Sequence, residues 1–211
     1  ASIHSDRSTK NRLELMGFMD RLFNGASREI RHSATRASRP DVGTTLLVTT
    51  IVDEFAYVAH VGNSRAYLLR DGELQRLTED HTIAELRQRR GRGKPKDEGE
   101  GQVLYQCLGG SFEVDVDLAE VRLMGGDLLL LCTDGLIRAL REDHILDLLD
   151  PTNLKESVKS LLRAAVQLGA QDDVSVVLID IEEGDEPANT LDTVTQTLKD
   201  IFLFEEMTEQ E

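Results

Sequence analysis

The run Leu128-Leu129-Leu130-Leu131-Cys132-Thr133 constrains this chain more than any other stretch. It has the composition of a strand buried on both faces, and it leads directly into Asp134 and Gly135. An aspartate is almost never fully buried unless it is paired or bound to a cation. Any fold for this sequence must cover the strand and must also give the carboxylate at its end a partner.

The flanking segments predict the cover. Residues 11–38 read as a helix, because Leu13, Met16, Met19, Phe23 and Ile30 recur at spacings of three or four, although Gly17 and Gly25 weaken it. Residues 44–52 and 55–61 are rich in β-branched and aromatic side chains and read as strands broken at Asp53-Glu54. "RAYLLR" and "ELQRLT" face each other across Asp71-Gly72, a strong hairpin signal. Residues 79–101 are charged and Gly-rich, and predict a mobile loop after a short helix near Glu79. The basic cluster at 87–96 suits a solvated loop, or contact with phosphate or an acidic surface.

Alternation resumes over 114–124, before the buried run. Residues 142–149 and 154–168 predict helices, the second with Val158, Leu161, Ala165 and Leu168 on one face. Residues 173–181 form a last strand, and an acidic amphipathic helix is expected over 190–204. This order lacks the regular β-α-β alternation of a parallel sheet, so the predicted class is α+β.

The formal net charge of −15 argues against nucleic acid as the main partner. Residues 1–40 carry eight Lys/Arg against four Asp/Glu, whereas residues 181–211 carry one against ten. These ends suit solvated faces, or contact with each other or with a second copy of the chain. No apolar run approaches the roughly 20 residues that span a bilayer, and residues 1–15 lack the apolar centre of a signal peptide. Cys107 and Cys132 both lie in apolar runs, and read as two buried thiols in a reducing, cytoplasmic setting.

Two junctions carry the candidate chemistry. Asp134 follows the buried strand, and Asp172-Asp173 stand just before the last one. Carboxylates at sheet ends suit hard divalent cations such as Mg²⁺ or Mn²⁺. Asp-Gly also fits a simple turn, and Asp172 also fits a cap.

Six segments in order extend this reading. They are "GTTL" (43–46), "AHVGNSRAYLLRDGEL" (59–74), "LTEDHT" (77–82), "LYQCLGG" (104–110), "GDLLLLCTDGL" (126–136) and "GAQDDVSVVLI" (169–179). Together they resemble the metal-dependent (PPM, type 2C) serine/threonine protein phosphatases, and also the bacterial stage II sporulation protein E branch of that family. The resemblance covers about residues 43–181. It implies two packed antiparallel sheets flanked by helices, and two Mn²⁺ or Mg²⁺ ions whose bridging water attacks phosphoserine or phosphothreonine. By position it implies Asp134 and Asp172 as metal ligands, Asp173 beside them, and Gly135, Asn63, Ser64, Arg65 and His81 next to the site. The implied partner is a phosphoprotein or a regulatory protein. A phosphatase-like domain is expected over 1–183, with 1–40 a helical lead-in and 184–211 an acidic tail.

The sequence departs from the family pattern in three places. It contains no Asp-Gly-x-Gly-Gly, the turn whose Asp bridges both metals in the family. Asn63 stands where Asp is usual, and Asp173 where Asn is usual. The expectation is therefore an incomplete metal site with weak or no phosphatase activity and a binding or regulatory role. The alternative is an active Mn²⁺/Mg²⁺-dependent enzyme completed by a partner chain or a segment outside this sequence. Sheet edges left open by the missing strands predict cover by a terminal helix or by a second copy, as a homodimer.

Overall fold

The computed structural model describes residues 2–39, 41–93 and 97–182. They form an α+β fold with two antiparallel sheets, and they divide into two compact units: residues 2–62 with 104–120, and residues 63–103 with 121–182.

In the first unit, α1 (Ser2–Arg36) lies with a three-stranded sheet of order β1-β2-β5, formed by β1 (Leu46–Val52), β2 (Phe55–Val61) and β5 (Asp117–Arg122). Strands β1 and β2 pair antiparallel in a register that closes at Val52 and Phe55, with Asp53 at φ 53° in the turn. Leu15, Met19, Leu22 and Phe23 of α1 pack with Val52, Tyr57, Ala59 and Val61 into one apolar core. The helix is longer than the sequence predicts, and its buried stripe is rotated. Leu13 is 64% exposed and Met16 also faces out, because Leu15, Met19, Leu22 and Phe23 share one face at i, i+4, i+7 and i+8. The "LGG" segment fastens this helix. Ser27, fully buried, donates its hydroxyl to the Ser111 carbonyl (2.7 Å) and accepts from the Gly109 N–H (2.9 Å). Gly109 has φ 84°, and a Cβ there would lie 2.5 Å from Ile30 Cγ2, so glycine is required on both counts.

In the second unit, a four-stranded sheet runs β4-β3-β6-β7, formed by β3 (Arg65–Arg70), β4 (Glu73–Arg76), β6 (Leu128–Cys132) and β7 (Val176–Asp180). The Asp71-Gly72 hairpin forms as predicted, with both turn residues at positive φ (52° and 77°). The leucine run is a central strand, paired antiparallel to β3 on one side and β7 on the other. Tyr67, Leu130, Leu136, Ile145 and Leu161 are all essentially inaccessible, in a core built from the sheet and from α4 (Asp134–Ala139), α5 (Glu142–Leu148) and α6 (Leu154–Gln167).

Three expectations need correction. The short helix expected near Glu79 is α2 (Ile83–Arg89), capped by the Thr82 hydroxyl accepting from the Glu85 N–H. A further helix, α3 (Glu98–Gln102), stands where the sequence suggested only loop, its first turn fixed by the Asp97 carboxylate accepting from the Glu100 N–H. Of the two thiols expected to be buried, Cys132 is, but Cys107 is only partly so. Lys94 to Lys96 and the expected helix at 190–204 lie outside the described residues. No helix among the described residues is long and apolar enough to cross a membrane.

Candidate functional site

Antiparallel pairing fixes the position of the site. Strand β6 runs opposite to both β3 and β7, so the end of β6 lies at the same edge of the sheet as the beginnings of its two neighbours. Arg65 pairs with Cys132, and Cys132 with Val176. The residues just before β3 (Asn63, Ser64), just after β6 (Thr133, Asp134) and just before β7 (Asp172, Asp173) therefore gather at one end.

Backbone contacts lock this end. The Thr133 N–H donates to the Ser175 carbonyl (3.1 Å), its hydroxyl donates to the Asp173 carbonyl (3.0 Å), and the same oxygen accepts from the Ser175 N–H (2.9 Å). Gly135 allows the close approach. A Cβ at this position would lie 2.5 Å from the Asp173 carbonyl oxygen and 3.1 Å from that of Asp172.

Asp134 opens α4 with its side chain 23% exposed, which answers the question its strand posed: the carboxylate is partnered. The Asn63 amide donates to Asp134 Oδ2 at 2.9 Å, and Asn63 is itself buried. Arg138, one turn along α4, places Nη1 3.8 Å from Asp134 Oδ2 and 4.0 Å from Asp172 Oδ2. Asp172 is 55% exposed, and its Oδ1 accepts from the Asp173 N–H at 2.8 Å. Asp173 takes part through its backbone, and its side chain belongs to an exposed residue. Ser64 and His81 are both buried.

Arg65 is built into a separate network. It donates Nε to Asp80 Oδ1 (2.8 Å) and Nη2 to Asp80 Oδ2 (2.7 Å), a bidentate pair, and Nη1 to the Tyr67 hydroxyl (3.0 Å). Tyr67 in turn donates to Glu142 (3.0 Å), and Arg76 adds a bond to Asp80 (3.0 Å). Burial works against the Arg65 charge, but the hydrogen bonds and charge of Asp80 prevail and raise its pKa further. Burial raises the Tyr67 hydroxyl pKa, with Arg65 opposing it. Both groups therefore hold their protons throughout the ordinary pH range. A cleft of about 780 Å³ opens within this unit, with Arg65, Asp80, Thr82, Gly135, Arg138 and Asp172 among its walls.

Sequence reasoning brought Asp134, Asp172, Asn63, Gly135 and Arg65 to this region, and it missed Arg138, Thr133 and Asp80. The i, i+4 relation of Asp134 and Arg138 was visible only to a reader who recognised α4. That helix is six residues long, contains glycine, and has no side-chain cap because the Thr133 hydroxyl is engaged with residues 173 and 175.

The donor set does not fit a pair of divalent ions about 4 Å apart. Asp134 and Asp172 each already accept a hydrogen bond, a guanidinium faces both, and an amide stands at position 63. Among the described residues, Asp134, Asp172 and Asp173 do not bring three ligand atoms within 4.8 Å of one another.

Comparison with known proteins supplies the family. The protein phosphatase 2C family profile matches residues 2–90. The serine/threonine protein phosphatase PstP of Mycobacterium tuberculosis is 33% identical over 147 residues, 68% of this chain and 28% of that protein. The protein phosphatase PhpP of Streptococcus pneumoniae is 32% identical over 148 residues, 68% of this chain and 60% of that protein. The chain thus spans less than two thirds of the length of each of these curated relatives. The crystal structure of the M. tuberculosis PstP phosphatase superposes with a TM-score of 0.68 at 31% identity, covering 74% of this chain and 68% of that one. The PstP catalytic domain solved in complex with two manganese ions gives 0.65 at 31% identity, covering 74% and 67%.

Proposed function

The chain belongs to the protein phosphatase 2C family, and from that premise we propose that it is a phosphatase-like module with an incomplete metal site. In this reading it binds a phosphoprotein or a regulatory protein, and hydrolyses phosphoserine or phosphothreonine weakly or not at all. The observation that carries the reading is the 2.9 Å hydrogen bond from the Asn63 amide to Asp134 Oδ2. The amide removes a negative charge from the site, and its N–H occupies a lone pair of the carboxylate that the family resemblance assigns to metal. Ligands lost from a metal's coordination cost more than the ~10–100-fold attached to an outer contact. In this reading the carboxylates at this sheet end hold no metal-activated water, and the cleft beside Arg65 and Arg138 is left as a binding surface.

The test is hydrolysis of a phosphopeptide in millimolar Mn²⁺ by the wild type and by Asp134→Ala. The expected result is at most weak turnover, unchanged in Asp134→Ala. Turnover that disappears in Asp134→Ala overturns the reading.

A second reading rests on a different observation, the 28% and 60% of its curated relatives that the chain spans. In that reading, further residues supply the missing ligands and the assembled protein is an active Mn²⁺- or Mg²⁺-dependent serine/threonine phosphatase. The same assay on a chain extended at its N-terminus separates the two readings: Asp134-dependent turnover favours the second.

A further inference from the structure

The two arginines on the wall of the cleft differ in how they are held. Arg65 is locked by a bidentate carboxylate and a phenol. Among the described residues, Arg138 touches no carboxylate at hydrogen-bond distance, and its side chain is 41% exposed. Its Nη1 nevertheless stands 3.8 Å from Asp134 Oδ2 and 4.0 Å from Asp172 Oδ2, facing two carboxylates that come from opposite ends of a chain segment 38 residues apart in sequence (172 − 134).

We propose that Arg138 is a resident cation that competes with divalent metal for Asp134 and Asp172. The inference rests on the incomplete-site reading above and deepens it, because it assigns part of the lost metal affinity to one removable side chain. Three physical points carry it. The position is built rather than accidental. On α4, residue 138 sits one turn beyond residue 134 on the same face, and Gly135 together with the Thr133 hydrogen bonds brings residue 172 onto that face. The charge balance then follows. Two carboxylates offer a formal −2 to an incoming ion, but with the guanidinium between them the set offers −1, and carboxylate charge is a main determinant of divalent affinity. A cation bound to both oxygens would lie within a few ångströms of Nη1, where two positive charges repel measurably even in water.

The experiment measures Mn²⁺ binding to the full chain by calorimetry and by the loss of the free Mn²⁺ electron paramagnetic resonance signal. It compares wild type, Arg138→Gln, Arg138→Ala and Arg138→Lys. The Gln and Ala variants are expected to bind Mn²⁺ at least about tenfold more tightly than wild type. The Lys variant keeps the charge and stays within about threefold of wild type. Adding Asp172→Asn to Arg138→Gln removes the gain, which ties it to this carboxylate pair. The Arg138 side chain is 41% exposed, and coincident thermal unfolding in EDTA checks that the variants fold. Gln and Ala variants that bind Mn²⁺ no better than wild type, including no detectable binding in any, overturn the proposal. Tight Mn²⁺ binding and turnover by the wild type would instead defeat the incomplete-site reading, while the ratio between wild type and Arg138→Gln still decides the role of Arg138.

Discussion

Replacing Gly135 with alanine tests how residues 134 and 172 are brought together. The added Cβ would lie 2.5 Å from the Asp173 carbonyl oxygen, 3.0 Å from its carbon and 3.1 Å from the Asp172 oxygen. All three are backbone atoms, so no flexible side chain can yield. The backbone at 173–175 is also held by three hydrogen bonds to Thr133. Relief requires the helix or the strand to shift by most of an ångström, and such overpacking costs about 1–3 kcal/mol. Alanine recovers up to about 1 kcal/mol of helix propensity, and less in the first turn than in a helix interior. The net expectation is a loss of about 1–2 kcal/mol, or a Tm lower by roughly 2–8 °C for a chain of this size. Urea denaturation followed by circular dichroism should show a lower midpoint at an unchanged slope. Gly17→Ala is the companion. Its nearest neighbour would be Arg21 Nη1 at an ordinary 3.5 Å, so this change stabilises α1 by up to about 1 kcal/mol. The same substitution should thus have opposite signs at the two sites. A Gly135→Ala protein as stable as wild type, or more so, would refute the close-contact argument.

Asp127 gives the pH dependence. It is buried and accepts from Arg70 at 2.8 and 2.6 Å and from the Met124 N–H at 2.8 Å. Burial pushes its carboxyl pKa up, but the hydrogen bonds and charge of Arg70, with the Met124 N–H, outweigh this and hold it below the usual carboxylate range. A depressed folded value means that the stabilisation is complete above the unfolded value, near pH 4, and is lost as pH falls through the folded one. Asp127→Asn should cost about 3 kcal/mol at pH 7, towards the low end for a broken buried pair because the Arg70 side chain keeps 28% exposure. The gap to wild type should begin to narrow below about pH 4 and close only as pH falls through the folded value; a gap unchanged between pH 7 and pH 3 would mean that the carboxylate charge is not what matters. Cys132 is the last case. Burial pushes its thiol up to about 12, and only the thiolate reacts. A maleimide at neutral pH should modify Cys132 only after denaturation, and mass spectrometry showing native labelling would contradict its burial.

What was legible in the sequence was legible for local reasons. The Asp71-Gly72 turn needs two residues at positive φ, and those two residue types tolerate it, so the β3–β4 register follows from the sequence. Strand β2 and helices α5 and α6 fall close to their predicted bounds, because alternation or a 3.6-residue stripe persists through them. The stripe of α1 was read in part: Met19 and Phe23 are buried as expected and Ile30 packs against the core, but Leu13 and Met16 face outward, and packing against β1 and β2 chose Leu15 and Leu22 in their place. Helix α4 was missed because a six-residue helix with a glycine and no capping side chain leaves no periodic trace.

The amino-acid order alone determined that a buried strand would end in a carboxylate, and that a second pair of carboxylates would precede the last strand. Periodicity and turn chemistry act over a few residues, and they reach that far. Only the tertiary structure decided what those carboxylates meet. Antiparallel pairing of β6 with β3 and β7 brought residues 63, 134 and 172 to one sheet end, and the absent side chain of Gly135 allowed the final approach. There Asp134 meets the amide of Asn63, and Arg138 faces both Asp134 and Asp172. Coulomb interactions depend on distance in space, so which charges face one another at the site was fixed by folding rather than by any single motif.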